Sequence, residues 1–191
     1  MIGVGVLLLA ILGLLALRQA GVLTNAAVPS PSAGPTAAPV ASDDPAIGIH
    51  DKDNGNSHVN AGTAVAFPEL PPTSGSHWPS PAGPVKAGVY TEKIPFEALM
   101  HNLEHGGIVI VYNGLTPDEV TKLNEFVRST TSTSQYKKIL DEPFSDLSRA
   151  KIVITAWDYH LDLQSVDTSS MLKFIRVHYD SKDAPEPGSG W

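Results

Sequence analysis

His101-Asn102-Leu103-Glu104-His105 carries the most chemistry for its length in this chain. On a helix, imidazoles four residues apart stand one above the other, with the carboxylate of Glu104 on the same side. Such a pair can grip one metal ion, and the carboxylate can either complete the ligand set or orient an imidazole. Pro71-Pro72-Thr73-Ser74-Gly75-Ser76-His77-Trp78 is a second such stretch. Two prolines stiffen its approach, Gly75 permits a tight turn, and His77 is presented beside an indole. Ser57-His58-Val59 offers a fourth imidazole. The sequence has seven histidines, three methionines and no cysteine, so any ion would be held by imidazole and carboxylate rather than sulfur. That donor chemistry suits copper or zinc, with copper slightly ahead because Cu(II) tops the affinity order. The candidate ligands are His58, His77, His101, Glu104 and His105, on the condition that the 71–78 loop folds over the His101/His105 face.

Other readings of these residues compete. The letters H-x-x-E-H also mark a class of zinc peptidases in which two His bind zinc and Glu is the general base. Here Gly106-Gly107 and an apolar run follow at once, with no identifiable downstream acidic ligand, so a zinc hydrolase is a minor alternative. A histidine opposing a helix dipole, or a solvated Glu/His face, would account for the same letters without metal. His50, His160 and His178 stand in no ligand pattern and read as surface or hydrogen-bonded side chains. Asp51, Asp53 and Asn54 start like a calcium loop but lack its closing Glu. Ser74 and Ser76 are near His only in sequence, and no nucleophile elbow occurs.

These residues need elements to position them. Residues 95–105 read as a helix, with Pro95 at its first position and Gly106 just past its end. Phe96, Leu99, Met100 and Leu103 form its apolar stripe, while Glu97, His101, Glu104 and His105 share another face. Ile108-Val109-Ile110-Val111-Tyr112 is a strand buried on both sides. Thr116-Pro117-Asp118-Glu119 is a capping box opening a helix to about Ser129, after which 130–134 reads as a loop. Residues 151–157 form a second buried strand, and strand, helix, strand together predict a right-handed parallel crossover. Asp167 or Thr168 caps a last helix through Tyr179, and 184–191 is a Pro/Gly tail. Residues 47–90 are loop-rich, with short strands expected at 63–67 and 88–90. The expected fold class is α/β or α+β: a small mixed sheet with packed helices and a long loop-rich N-terminal region.

The ends and the charge bound the setting. Residues 1–17 are entirely apolar or Gly, and at about 1.5 Å per residue they span about 26 Å, the short end of a bilayer core. Residues 1–23 therefore read as a transmembrane anchor or signal-anchor, in preference to a cleaved signal peptide. Residues 24–45 hold five prolines spaced by Ala, Ser, Thr and Val, a tether with no hydrophobic period. Residues 46–191 form one globular domain, expected on the extracytoplasmic side. The chain has 13 basic and 20 acidic residues, a net charge of -7, which argues against a nucleic-acid partner. Absence of cysteine excludes disulfides, thiolate metal sites, Cys nucleophiles and Cys-linked lipid attachment.

At His58, Pro71–His77, Gly88–Tyr90, His101–Gly107, Tyr112, Ala156–Trp157 and Pro185–Pro187, the chain resembles the domain of unknown function 3105 family, bacterial proteins that are mostly membrane-anchored. The matching pieces run in order through most of 48–187. Members often carry Pro where this chain has Ser76, which loosens the loop before His77. The resemblance implies an extracytoplasmic domain with the His58, His77, His101, Glu104 and His105 positions in common, and no particular reaction. The leading expectation is a membrane-tethered domain that binds copper or zinc. A metal-free interaction module meeting an envelope protein is the alternative.

Overall fold

The computed structural model describes residues 47–191. The anchor and tether expected at 1–23 and 24–45 lie outside the described residues. Among the described residues, no helix is long and apolar enough to cross a membrane.

Six strands and three helices follow in the order β1 (Ile49–His50), β2 (Gly88–Val89), α1 (Phe96–Glu104), β3 (Ile108–Tyr112), α2 (Pro117–Ser132), β4 (Ile139–Pro143), β5 (Ile152–Ala156), β6 (Tyr159–Leu163) and α3 (Thr168–His178). The strands form one mixed sheet in the order β1-β6-β5-β3-β4-β2, giving an α+β fold. Strands β3 and β5 are buried on both faces and almost wholly apolar, the exception in β5 being Thr155, whose hydroxyl donates to the Val109 carbonyl. Ile108, Ile110, Ile152 and Ile154 pack with Leu123 and Val127 of α2 and with Met171, Phe174 and Ile175 of α3. The alternate residues Val109, Val111 and Val153 pack with Phe96, Leu99, Met100 and Leu103 of α1. Period-2 alternation thus sends one set of side chains to a two-helix layer and the other to the layer that carries the candidate site.

The topology corrects the expected crossover. The strand at 152–156 pairs antiparallel with β3, in the register Ile110↔Ile154. The parallel partner reached through α2 is β4, in the register Ile110↔Asp141. Its sequence Ile-Leu-Asp-Glu-Pro hides a strand, because two adjacent acids and a proline look like a loop; here both acids are buried, one on each face. Strand β6 also escaped the pattern. It forms a hairpin with β5 through Trp157-Asp158, where Asp158 takes φ 58°.

Two local expectations change as well. Residues 63–67 are not a strand: Val65 N–H donates to Glu97 Oε1 at 2.9 Å, and Phe67 meets Phe96 edge to face, which ties this segment to α1 instead of to the sheet. The run at 130–134 does not start as a loop, since α2 continues to Ser132. Thr130 and Thr131 donate their hydroxyls to the carbonyls of Phe126 and Val127, one turn back, so these polar β-branched residues stay helical. The capping box at Thr116 and Glu119 is present, and Asp167 caps α3 through the N–H groups of Ser169 and Ser170.

Candidate metal centre

Helix α1 is buried nearly all round. Its apolar stripe faces the sheet, and its polar side lies under the N-terminal loops. Asn102 is the main tie: its Nδ2 donates to the Val85 carbonyl at 2.8 Å and its Oδ1 accepts the Val85 N–H at 3.1 Å. Gly83 lies so close that a Cβ there would stand 2.9 Å from the Ala98 carbonyl and 3.0 Å from His101 Cβ. Gly106, at φ 76°, turns the chain out of the helix directly after His105.

The loop at 71–78 folds over this helix as the ligand hypothesis requires. His77 forms a β-bridge with His58, in which Val59 N–H donates to the His77 carbonyl at 2.8 Å and His77 N–H to the Ser57 carbonyl at 3.0 Å. Both rings are thereby delivered to Glu104. Glu104 Oε2 lies 2.9 Å from His77 Nε2, 3.5 Å from His58 Nε2 and 3.9 Å from His101 Nε2. Three imidazoles from three separate segments therefore converge on one carboxylate oxygen.

The hydrogen bonds behind the rings set which nitrogen faces inward. His77 Nδ1 lies 2.9 Å from the Gly75 carbonyl, and His101 Nδ1 lies 2.8 Å from the Trp78 carbonyl. A carbonyl only accepts, so both Nδ1 atoms donate, and in the neutral ring Nε2 then carries the lone pair. His77 Nε2 and Glu104 Oε2 lie 2.9 Å apart, a pair that either a proton on the ring or a bound cation satisfies. Backbone-clamped imidazoles of this kind are the usual support for metal ligands.

The spacing fits an ion. A tetrahedral centre with bonds of about 2.0–2.1 Å sets its donors about 3.3 Å apart, and the three Oε2–Nε2 separations straddle that value. The donor atoms of His58, His77 and His101 lie within 4.8 Å of one another, as do those of His101, Glu104 and His105. Burial is uneven. The His77 side chain is fully buried, those of Glu104 and His101 nearly so, and that of His58 is 47% exposed, so the cluster opens to solvent on the His58 side. Burial lowers the His101 pKa below the ordinary histidine value, against the opposing pull of the Trp78 carbonyl and Glu104. A lowered pKa keeps the lone pair free at neutral pH.

His105 stands at the edge of the group. Its Nδ1 donates to the Gly190 carbonyl at 2.9 Å, and its Nε2 lies 3.3 Å from Glu186 Oε2. Sequence reasoning did not single out Glu186, or Asn56, whose Nδ2 reaches Glu104 Oε1 at 3.4 Å. Both sit in irregular segments where no periodicity marks them. The remaining histidines lie elsewhere. His160 Nδ1 bonds Asp51 Oδ2 at 2.6 Å, His178 Nε2 bonds the Ile47 carbonyl at 2.7 Å, and His50 is exposed against Tyr159.

Fold and site together describe an α+β domain that holds an imidazole–carboxylate cluster between one helix and a long N-terminal loop region. Residues 58–190 match the sequence model described as Protein of unknown function (DUF3105), and the chain belongs to that family. No curated protein and no solved structure matches the chain.

Proposed function

We propose that this protein binds a transition-metal ion, copper or zinc with copper favoured, through His58, His77, His101 and Glu104. One observation carries the reading: three Nε2 atoms meet at one carboxylate oxygen, with two of the rings clamped from behind by backbone carbonyls. A donor set of imidazole and carboxylate without thiolate suits Cu(II) and also accepts Zn(II). Glu104 lies at ligand distance among the imidazoles, a place that favours a role as ligand over that of a free general base. The role is metal handling: buffering, delivery or a redox step. The apolar run at 1–17 and the acidic domain support a place at a membrane on the extracytoplasmic side, with an envelope protein as the natural partner.

The test is direct. The full chain, purified in mild detergent, is loaded with Cu(II) or Zn(II), dialysed and assayed for bound metal. One tightly held ion per chain, absent in His101→Ala, is the expected result. No bound ion, together with no change in melting temperature on adding either metal, would overturn the reading in favour of a metal-free interaction module.

A further inference from the structure

His105 and Glu186 share no atom with the oxygen at the centre of the cluster, yet they adjoin it. The His105 ring centroid lies 4.7 Å from that of His101, edge to face. Its donor atom belongs with those of His101 and Glu104 in a second possible ligand triple. The Gly190 carbonyl accepts from His105 Nδ1, so in the neutral ring Nε2 presents its lone pair beside Glu186 Oε2 at 3.3 Å. That is the same pairing of clamped imidazole and carboxylate seen at His77 and Glu104. The C-terminal segment is fastened there by its backbone, since Glu186 N–H donates to the Glu104 carbonyl at 2.9 Å. The nearby ammonium of Lys138 is already committed to the His105 carbonyl, Asp180 and the Ser189 carbonyl.

Exposure grades inward along these groups. The Glu186 side chain is 55% exposed and His105 12%, followed by the almost wholly buried His101 and Glu104. His101 has only one free nitrogen, because Nδ1 is bound to the Trp78 carbonyl. The two triples therefore cannot use His101 for two ions at once.

Resting on the metal reading above, we propose that His105 and Glu186 form an outer metal-binding position, through which an ion passes by way of His101 and Glu104 to the inner His58/His77/His101/Glu104 position. The half-exposed carboxylate attracts the hydrated cation and the clamped imidazole takes it. His101 then exchanges between the two positions.

Stopped-flow loading with Cu(II) tests this on the full chain. Quenching of tryptophan fluorescence supplies the signal, since Trp157 lies 6.4 Å from the His77 ring and Trp78 adjoins His77 in the chain, and direct assay of bound copper checks the endpoint. Glu186→Gln and His105→Asn, the latter keeping a donor for Gly190, should load about tenfold more slowly while still ending at one ion per chain, the loss expected when a steering group is removed. Loading of both variants at the wild-type rate would overturn the outer position. An equal loss of equilibrium affinity would also overturn it, because it would put these residues in the final ligand set. A wild-type chain that binds no copper at any concentration would instead sink the metal reading itself, and this inference with it.

Discussion

Two regions of the molecule bury carboxyl groups, and they resolve the burial differently. On α1, Glu104 is 2% exposed and faces three imidazole nitrogens, with Asn56 on its other oxygen. On β4, Asp141 and Glu142 are 0% exposed and point to opposite faces of the sheet. Ile94 N–H donates to Glu142 Oε2, while Glu142 Oε1 and Asp141 Oδ1 have no hydrogen-bond partner. Burial pushes both pKa values up to about 7, Asp141 against the pull of Arg128 and Glu142 against that of the Ile94 N–H and Lys93. Burial alone thus leads to a carboxyl group that prefers its proton. What distinguishes Glu104 is the set of three imidazole nitrogens within 4 Å of one of its oxygens, polar partners that the two β4 carboxyls lack.

The largest effect should come from breaking the imidazole region. His77→Ala removes a fully buried donor and should cut Cu(II) affinity at least ~1,000-fold, about 4 kcal/mol, by calorimetric titration. Asp141→Asn should leave that affinity within about twofold, since Asp141 is in register with Ile110 on the α2/α3 face of the sheet, away from α1. Equal losses in the two variants would erase the distinction between the regions.

Next comes the pH dependence of folding. Each β4 carboxyl has a folded pKa of about 7, above its unfolded value near 4. Its contribution to stability is therefore complete below about pH 4 and is lost as pH rises toward 7, on the order of 3 kcal/mol per group. Burial lowers the His101 and His178 pKa values, so these two groups oppose the trend, favouring the fold as pH rises toward their unfolded value. The difference between wild type and Asp141→Asn isolates the carboxyl. In urea unfolding the variant should gain on the wild type between pH 5 and pH 8, and parallel curves would remove the β4 half of the comparison.

A smaller effect is the stabilisation by metal itself. An ion at 100 times its dissociation constant adds about 2.7 kcal/mol, and differential scanning calorimetry should show the same upward shift in wild type and Asp141→Asn. Smallest is Asn56→Ala, which removes one long hydrogen bond to Glu104 Oε1 and should weaken metal binding tenfold or less. A loss as large as that of His77→Ala would mean that Asn56 sets the position of the carboxylate.

The sequence alone determined the elements whose patterns are local. The stripe Phe96, Leu99, Met100 and Leu103, the β-branched run of β3 and the capping box at Thr116 each depend on neighbours within a turn or two, so α1, β3 and the start of α2 could be read directly. The donor types were legible too, because a chain without cysteine leaves imidazole and carboxylate as its metal-binding chemistry. Strand β4 was not legible: the raised pKa values that let Asp141 and Glu142 stay inside are a consequence of burial in the finished sheet. The antiparallel return of β5 likewise depends on which edge of β3 is still open once β4 has docked. Only the tertiary structure decided that His58, His77 and His101, up to 43 residues apart, share one oxygen, and that Glu186 from the C-terminal tail meets His105. Loop closure over such separations leaves no period in the chain. It is paid for by packing elsewhere, here by Asn102 holding Val85 and by the bridge between His58 and His77.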